Sequence, residues 1–438
     1  MKNKTPKDKT ITLCMIVKNE THIIKECLQS MLPYIDRYDI TDTGSDDGTP
    51  ELIEQFMEEN GVPGEVYRSD WKGFGDHAGK MGSRTEALKN CDDKADYAWM
   101  IDADDFVSGE FNFPENMDAE GYSLRIGRED FSWWRSQIFK TGIDWRYVGV
   151  LHEFAECKSN PNAVVHRILD ETYNVSARTL GARNVGVTTQ EKYTRDAENL
   201  IEALKDEPEN SRYQFYLAQS YFDSQQFENS REAYQKRTQM GGWEEEIYYS
   251  YFRVAILNAL LDEPWPIIQQ SFLDCYDYRQ HRAEPLFQIA RLYRQVHDKP
   301  KLAYVFARMA LEIPYPKDDI LFISDDVYRW QILDEIGATA FYAGKPHVGY
   351  HACKRLVDEN LVPEEHKSRV LENLKQYEQI VMQIQAEQAK REQTMRMAEE
   401  VEKEEEKKKK KMEKQNRVKK GTKSNQQKRG KQRAKAKR

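Results

Sequence analysis

The sequence predicts an α/β domain with a mixed sheet, followed by an all-helical region of stacked hairpins and a charged tail without fixed structure. Three observations predict this. Short apolar runs alternate with segments of helical period up to about residue 160. Strand signals vanish from about Glu191 onward, where apolar residues recur only at helical spacing. The last 38 residues, 401–438, carry 18 Lys+Arg against 5 Asp+Glu and almost no apolar residues.

Taken in order, "TITLCMIVK" is a buried strand that stops at Asn19-Glu20. Ile23, Ile24, Cys27, Leu28 and Met31 then share one helix face. "YDITDTGSDDGTPELIEQFMEE" repeats the scheme, with Thr49 expected at the helix cap and Pro50 at its first position. "GEVYR" is a third strand, "SRTEALKNC" belongs to a third helix and "YAWMI" is a fourth strand. Alternation at this spacing implies a parallel sheet covered by helices, which "EGYSLRIG" and "SWWRSQIFK" extend into a mixed one. In the helical part, "FYLAQSYFDSQQFENSREAYQKR" has the tetratricopeptide pattern. Its Leu217-Ala218 opening recurs at Val254-Ala255 and Ile289-Ala290, 37 and 35 residues on, close to the repeat's ~34-residue period. Ile336-Gly337 comes later, so "EIPYPKDDILFISDD" carries an insertion; an irregular helical bundle is the alternative. "EEVEKEEEKKKKKMEK" can be helical through glutamate–lysine pairs four apart, and "KKGTKSNQQKRGKQRAKAKR" is expected to be disordered.

The net charge of −8 conceals an acidic body of −21 and a tail of +13. That argues against nucleic-acid binding by the folded part and leaves nucleic acid or anionic membrane as partners of the tail alone. Six cysteines without CxxC spacing argue against a zinc knuckle or a disulfide framework. No signal-peptide-like or membrane-spanning run is present, and a soluble cytoplasmic protein with reduced thiols is expected.

Polar constellations sit at successive strand ends: Asn19-Glu20, Asp42 with "TGSDDGT", and Asp102-Ala103-Asp104. Ligands of open α/β sheets bind at the carboxyl ends of strands, so one cleft is expected there. Carboxylates one residue apart can share a hard divalent cation, although a lone DxD also occurs in turns and caps. "DTGSDDGT" lacks the glycine and glutamate of a calcium-binding EF-hand loop. Arg84 opens a helix where a phosphate could be met. His152 could complete a metal site and Glu153 could act as base or orienter. Trp133, Trp134, Trp145 and Tyr147 are either a sugar-stacking wall or core.

The motifs "TLCMIVKNE", "ITDTGSDDGTPELI", "WKGFGDHAGKMGSRTEAL", "WMIDADD" and "WRYVGVLHE", in that order, resemble family 2 glycosyltransferases of GT-A fold over roughly residues 10 to 160. The helical part looks like the tetratricopeptide extension of one branch of that family, and the architecture is similar to that of bacteriocin S-glycosyltransferases. The resemblance implies a Rossmann-like GT-A domain over residues 1–190, a tetratricopeptide-like domain over 191–385, and a charged helix and disordered tail over 386–438. It implies that Val17, Asn19 and Glu20 hold the nucleotide, Asp42 reads a uracil edge and Arg84 approaches the diphosphate. Asp102 and Asp104 match the DxD that holds Mn²⁺ or Mg²⁺, and His152-Glu153 matches a late "HE" pair. The frequent "P-x-Y-N-E" is here "I-V-K-N-E", which removes an aromatic neighbour of the base. An "ED" base motif is present only if Glu129-Asp130 supplies it, so Glu153 and Asp130 are the candidate bases. The implied activity is metal-dependent, inverting transfer from a nucleotide-sugar, in particular a UDP-sugar, to a glycan or protein acceptor. The repeats would serve an acceptor, a partner or a second copy of the chain. The alternative is a non-catalytic scaffold with a degenerate nucleotide-binding domain.

Overall fold

The computed structural model describes residues 6, 8–128, 131–170, 172–178, 180–184 and 186–435. It divides into two compact units, residues 1–275 and 276–438.

The first unit begins with alternating strands and helices: β1 (Ile11–Val17), α1 (Ile24–Met31), β2 (Arg37–Asp42), α2 (Thr49–Glu59), β3 (Gly64–Arg68), α3 (Ser83–Asn90) and β4 (Tyr97–Met100). β3, β2, β1 and β4 lie side by side in that order and run parallel. β1 is central and apolar on both faces, as a parallel strand covered by helices must be. Its Ile11, Leu13, Met15 and Val17 pack with α1 and with Ile53 and Met57 of α2. Cys14 and Ile16 point the other way, against Ala87 and Leu88 of α3.

β5 (Phe106–Gly109), β6 (Gly121–Arg128), β7 (Phe131–Lys140), β8 (Trp145–Val148), β9 (Phe154–Cys157), β10 (Val165–Arg167) and β11 (Tyr173–Ser176) follow. Past β4 the sheet continues β7-β6-β11-β5, with β10 also paired to β6, and β4–β7 and β6–β7 are antiparallel. The mixed α/β sheet is therefore as expected, while β8 and β9 form a separate hairpin. All six cysteines are buried free thiols.

The helical region starts within the first unit with α4 (Thr189–Asp206), α5 (Ser211–Asp223), α6 (Phe227–Arg237), α7 (Glu244–Leu260) and α8 (Trp265–Tyr278). A reciprocal capping box between Thr188 and Glu191 starts α4. Leu217, Ala218 and Tyr234 of the first recognised hairpin are buried between α5 and α6. Ser230 Oγ donates to the Ala218 carbonyl at 2.7 Å across that contact.

The second unit contains α9 (Glu284–Gln295), α10 (Pro300–Leu311), α11 (Ile332–Thr339), α12 (Pro346–Asp358) and α13 (Glu364–Lys435). Ile289, Ala290 and Ile336 are fully buried, and a Cβ on Gly337 would lie 2.7 Å from Cys353 Sγ, so close helix approach needs the glycine. The expected insertion is the irregular segment before α11, tied down by buried Arg282, which reaches both Glu284 and Asp319. α13 differs from expectation, because it continues as helix through Lys435. Glu399–Lys403, Glu404–Lys408 and Glu406–Lys410 pair four apart along it, while residues 385–415 bury almost nothing. Among the described residues, no helix is long and apolar enough to cross a membrane.

Candidate functional site

Two strand-end loops interlock beyond β1 and β2. Asn19 takes a left-handed backbone (φ 59°), its N–H donates to Ser45 Oγ at 2.9 Å, and its Oδ1 accepts from the Asp46 N–H at 2.9 Å. The Glu20 N–H donates to Thr49 Oγ1 at 2.8 Å. Gly48, not Thr49, is the N-cap of α2, and Asp47 accepts from both the N–H and the hydroxyl of Thr49. Burial alone would raise the Asp47 pKa, but hydrogen bonds from Thr49 and Thr21 hold it at about 2. Asp42 accepts from the N–H groups of Gly44 and Ser45 and so braces its own loop.

At the end of β4, Asp102 receives two arginines. Arg84 Nη2 donates to Oδ1 at 2.6 Å and Arg135 Nη1 to Oδ2 at 3.2 Å. Burial opposes ionisation of Asp102, yet these two guanidiniums hold its carboxyl well below the usual range. Arg84 Nε also lies 2.7 Å from Glu153 Oε1, close enough for an ion pair but not aligned to donate a hydrogen bond. Its guanidinium faces the rings of Tyr147 and Phe74 at 5.6 and 5.9 Å.

Asp104 points elsewhere. Its Oδ2 accepts the N–H groups of Leu180 and Gly181, each at 3.0 Å, and its carbonyl accepts from Arg178 Nε. The Glu20 carboxylate accepts the adjacent Ala182 N–H at 3.2 Å. A Cβ on Gly181 would sit 3.3 Å from Glu20 Oε1 and 3.4 Å from Asp104 Oδ2, so both carboxylates gather around this glycine. Burial, reinforced by Asp104, pushes Glu20 up to about 7 against the Ala182 hydrogen bond.

Two chambers meet here. The first, about 660 Å³, is lined by Val17, Asn19, Glu20, Trp71, Asp104 and Arg178 among others. The second, about 720 Å³, is lined by Trp133, Trp134, Tyr147, His152 and Glu153 among others. Phe74, Arg84, Asp102 and Arg183 border both.

The sequence-derived residues thus separate. Val17, Asn19, Glu20, Arg84, Asp102 and Asp104 line the first chamber, and His152 and Glu153 the second. Asp42 lines neither, and Thr43 faces the first chamber in its place. Asp130 lies outside the described residues. Among the described residues, no three His, Cys, Asp or Glu side chains are grouped to hold a metal ion, so Asp102, Asp104 and His152 do not assemble into one ligand set. His152 instead stacks on Tyr216 of α5, with ring centroids 3.9 Å apart and planes 10° off parallel. Of the aromatic wall, Trp133, Trp134 and Tyr147 face the second chamber, whereas Trp145 packs into the core beside Phe139. Sequence reasoning missed Arg135, Arg178 and Arg183. An arginine set among tryptophans in an alternating strand was the available signal for Arg135.

Asp105 carries a pH-dependent cost. It is 3% exposed; burial, then the charge of Asp102, pushes its pKa up to about 7 despite Arg135. A carboxyl raised in the fold contributes stability below its unfolded pKa and loses it as pH rises through the folded value. Wild type should therefore lose stability relative to Asp105→Asn between pH 5 and pH 8, by on the order of 3 kcal/mol. Urea unfolding of both proteins at the two pH values checks this; a difference that does not change with pH contradicts it.

No curated protein matches the chain. Solved structures match the chain only at low similarity. MamA aligns at 13% identity and TM-score 0.31, covering 44% of this chain and 99% of its own. YrrB, described as a TPR protein with an unusual peptide-binding site, aligns at 11% identity and TM-score 0.28, covering 38% and 77%. A thermophilic TPR protein from Thermus thermophilus aligns at 12% identity and TM-score 0.29, covering 42% and 91%. In the α/β domain, residues 12–118 match the family model described as Glycosyl transferase family 2, which marks this N-terminal part as a domain of that family.

Proposed function

We propose that the chain is a nucleotide-sugar-dependent glycosyltransferase, with the donor in the first chamber and the acceptor in the second. The observation that carries this reading is the shared border of the two chambers, where Arg84 spans Asp102 and Glu153 at the strand ends of a family 2 domain. UDP is the nucleotide favoured by the family pattern. Trp71, set edge-on to Phe74 at 4.8 Å, offers the aromatic face that "I-V-K-N-E" lacks. Asp42 would act indirectly, by bracing the loop of Thr43.

The acceptor hydroxyl would attack the anomeric carbon while the bond from that carbon to the diphosphate oxygen breaks, its electron pair leaving with the diphosphate. Glu153, held by Arg84, would take the hydroxyl proton. Asp130 remains the other candidate base. Arg84 and Arg178 supply positive charge toward the departing diphosphate. The donor set suits a hard cation: Asp104 and Glu20 converge around Gly181, and one or two carboxylates suffice where substrate phosphates complete the shell. Asp104, with Glu20 beside it, would hold Mn²⁺ or Mg²⁺, which when bound supplies Lewis-acid stabilisation of the diphosphate, while Asp102 keeps its two arginine partners.

In this reading residues 1–190 carry the transfer and 191–385 form a repeat domain for the acceptor, a partner protein or a second copy. Incubation with a panel of nucleotide-sugars tests the proposal. Release of nucleoside diphosphate from a UDP-sugar should require Mn²⁺ or Mg²⁺ and stop with a chelator; release that ignores the metal, or none from any donor, contradicts it.

A further inference from the structure

The second chamber has walls from two sources within the first compact unit. Trp133 and Trp134 come from β7 and Phe154 from β9, while Lys192 comes from α4 and Arg212 and Tyr216 from α5. The aromatic faces suit the apolar face of a sugar ring, but the cations do something further. Arg212 lies over the rings of Tyr216 and Phe154 at 5.0 and 5.3 Å. Its Nη2 donates to the His152 carbonyl at 3.0 Å and its Nη1 to Glu246 at 3.4 Å, leaving a buried Nε without a hydrogen-bond partner. Lys192 is partly buried, and among the described residues no carboxylate lies within 4 Å of its ammonium, which sits 5.2 Å over the Tyr193 ring.

Arg183, the third cation at this end, is already paired with Asp196. One side of His152 is open to the chamber. Burial of the rest of its ring, and then the charges of Arg212, Arg183 and Lys192, depress its pKa below the usual histidine range. The imidazole is therefore neutral at neutral pH and adds no charge. What remains is a half-buried ammonium without a direct ion-pair partner, sharing only the longer-range charge of Asp223, beside aromatic walls and the Arg212 guanidinium that Glu246 pairs at 3.4 Å. Partial burial of the Lys192 ammonium costs free energy that an incoming anion would offset. A neutral acceptor would leave Lys192 without a direct counter-charge.

We infer that the second chamber binds an acidic saccharide, a sugar bearing a carboxylate or phosphate group, with its ring against the aromatic wall and its anionic group toward Lys192 and Arg212. This rests on the glycosyl-transfer reading above. It also makes α4 and α5, the first helices of the repeat region, part of the acceptor site, where they select the acceptor's charge.

Full-length protein is titrated with cellobiouronic acid, with its neutral counterpart cellobiose and with a hexose phosphate, and binding is read from tryptophan fluorescence. At least one acidic probe should bind tenfold or more tighter than cellobiose, with a preference that shrinks as salt rises. The tighter of the two acidic probes identifies the substituent. Lys192→Glu should erase the preference and Lys192→Arg retain it. Equal affinity for acidic and neutral probes, a preference that survives Lys192→Glu, or binding of none of the three overturns the inference. UDP is titrated into the same preparations. Loss of acidic preference with UDP binding intact overturns this inference alone, whereas acidic preference without any UDP binding overturns the transfer reading.

Discussion

Asp104→Ala should lower nucleotide-sugar turnover by about three to four powers of ten, because a lost metal contact removes several kcal/mol of charge stabilisation on the leaving diphosphate. The side chain has a second duty, since its Oδ2 accepts the Leu180 and Gly181 N–H groups. Alanine would release both amides as well as the charge. Asp104→Asn separates the two effects, because its amide oxygen can still accept both hydrogen bonds. Both variants should lose turnover, and only alanine should speed hydrogen exchange at the Leu180 and Gly181 amides. Steady-state rates at graded Mn²⁺ check the first point; a near-wild-type rate for Asp104→Asn contradicts a role for this carboxylate in holding the metal.

Arg84→Met should be the most destabilising single change at the site. The Arg84 side chain is 11% exposed and is shared by Asp102 and Glu153, whose side chains are 26% and 15% exposed. Removing it leaves Asp102 with Arg135 alone and Glu153 without a cationic partner, and breaking a buried ion pair costs about 3–5 kcal/mol. Partial exposure of Asp102 places the expected loss at the lower end, about 3 kcal/mol in urea unfolding. Turnover should fall as well, since the same group holds Glu153, the proposed base. Adding Glu153→Gln to Arg84→Met should recover part of the lost stability, because the uncompensated charge is gone. A loss within about 0.5 kcal/mol, the range of ordinary surface substitutions, would contradict the central place given to Arg84.

Much of this architecture was legible because it rests on local period. The apolar runs of β1, β2, β4, β6 and β7 and the stripes of α1 and α2 each announce a buried face within a few residues. β10 carried no such signal, since its three residues are exposed and bury nothing. The charged stretch 399–414 was legible as a helix through its glutamate–lysine pairs, but the continuation through 419–435 was not, because composition measures what a segment can bury and α13 over residues 385–415 already buries almost nothing.

At the site, the motifs named candidate residues but not which chamber each lines or how they pair. Asp102 and Asp104 are two positions apart, yet one faces Arg84 and Arg135 and the other faces amides more than 70 residues downstream. Asp42 turns to its own loop because the Gly44 and Ser45 N–H groups need an acceptor there. His152 faces Tyr216 of a helix that no local pattern around residue 152 could disclose. The stretch "GARN", with Gly181 and Arg183, was legible only as the start of the helical extension, because its contacts with Asp104 and Glu20 are long-range and leave no local pattern.

The strand-end chamber beside Asp104 and Arg84 is the site proposed for a metal–nucleotide pair. Calorimetric titration of UDP into the full-length protein, with and without Mn²⁺, measures it most directly. One UDP per chain should bind, with an affinity that rises sharply with Mn²⁺ and collapses on chelation; no UDP binding, or an affinity indifferent to the metal, would contradict a metal–nucleotide site in this chamber.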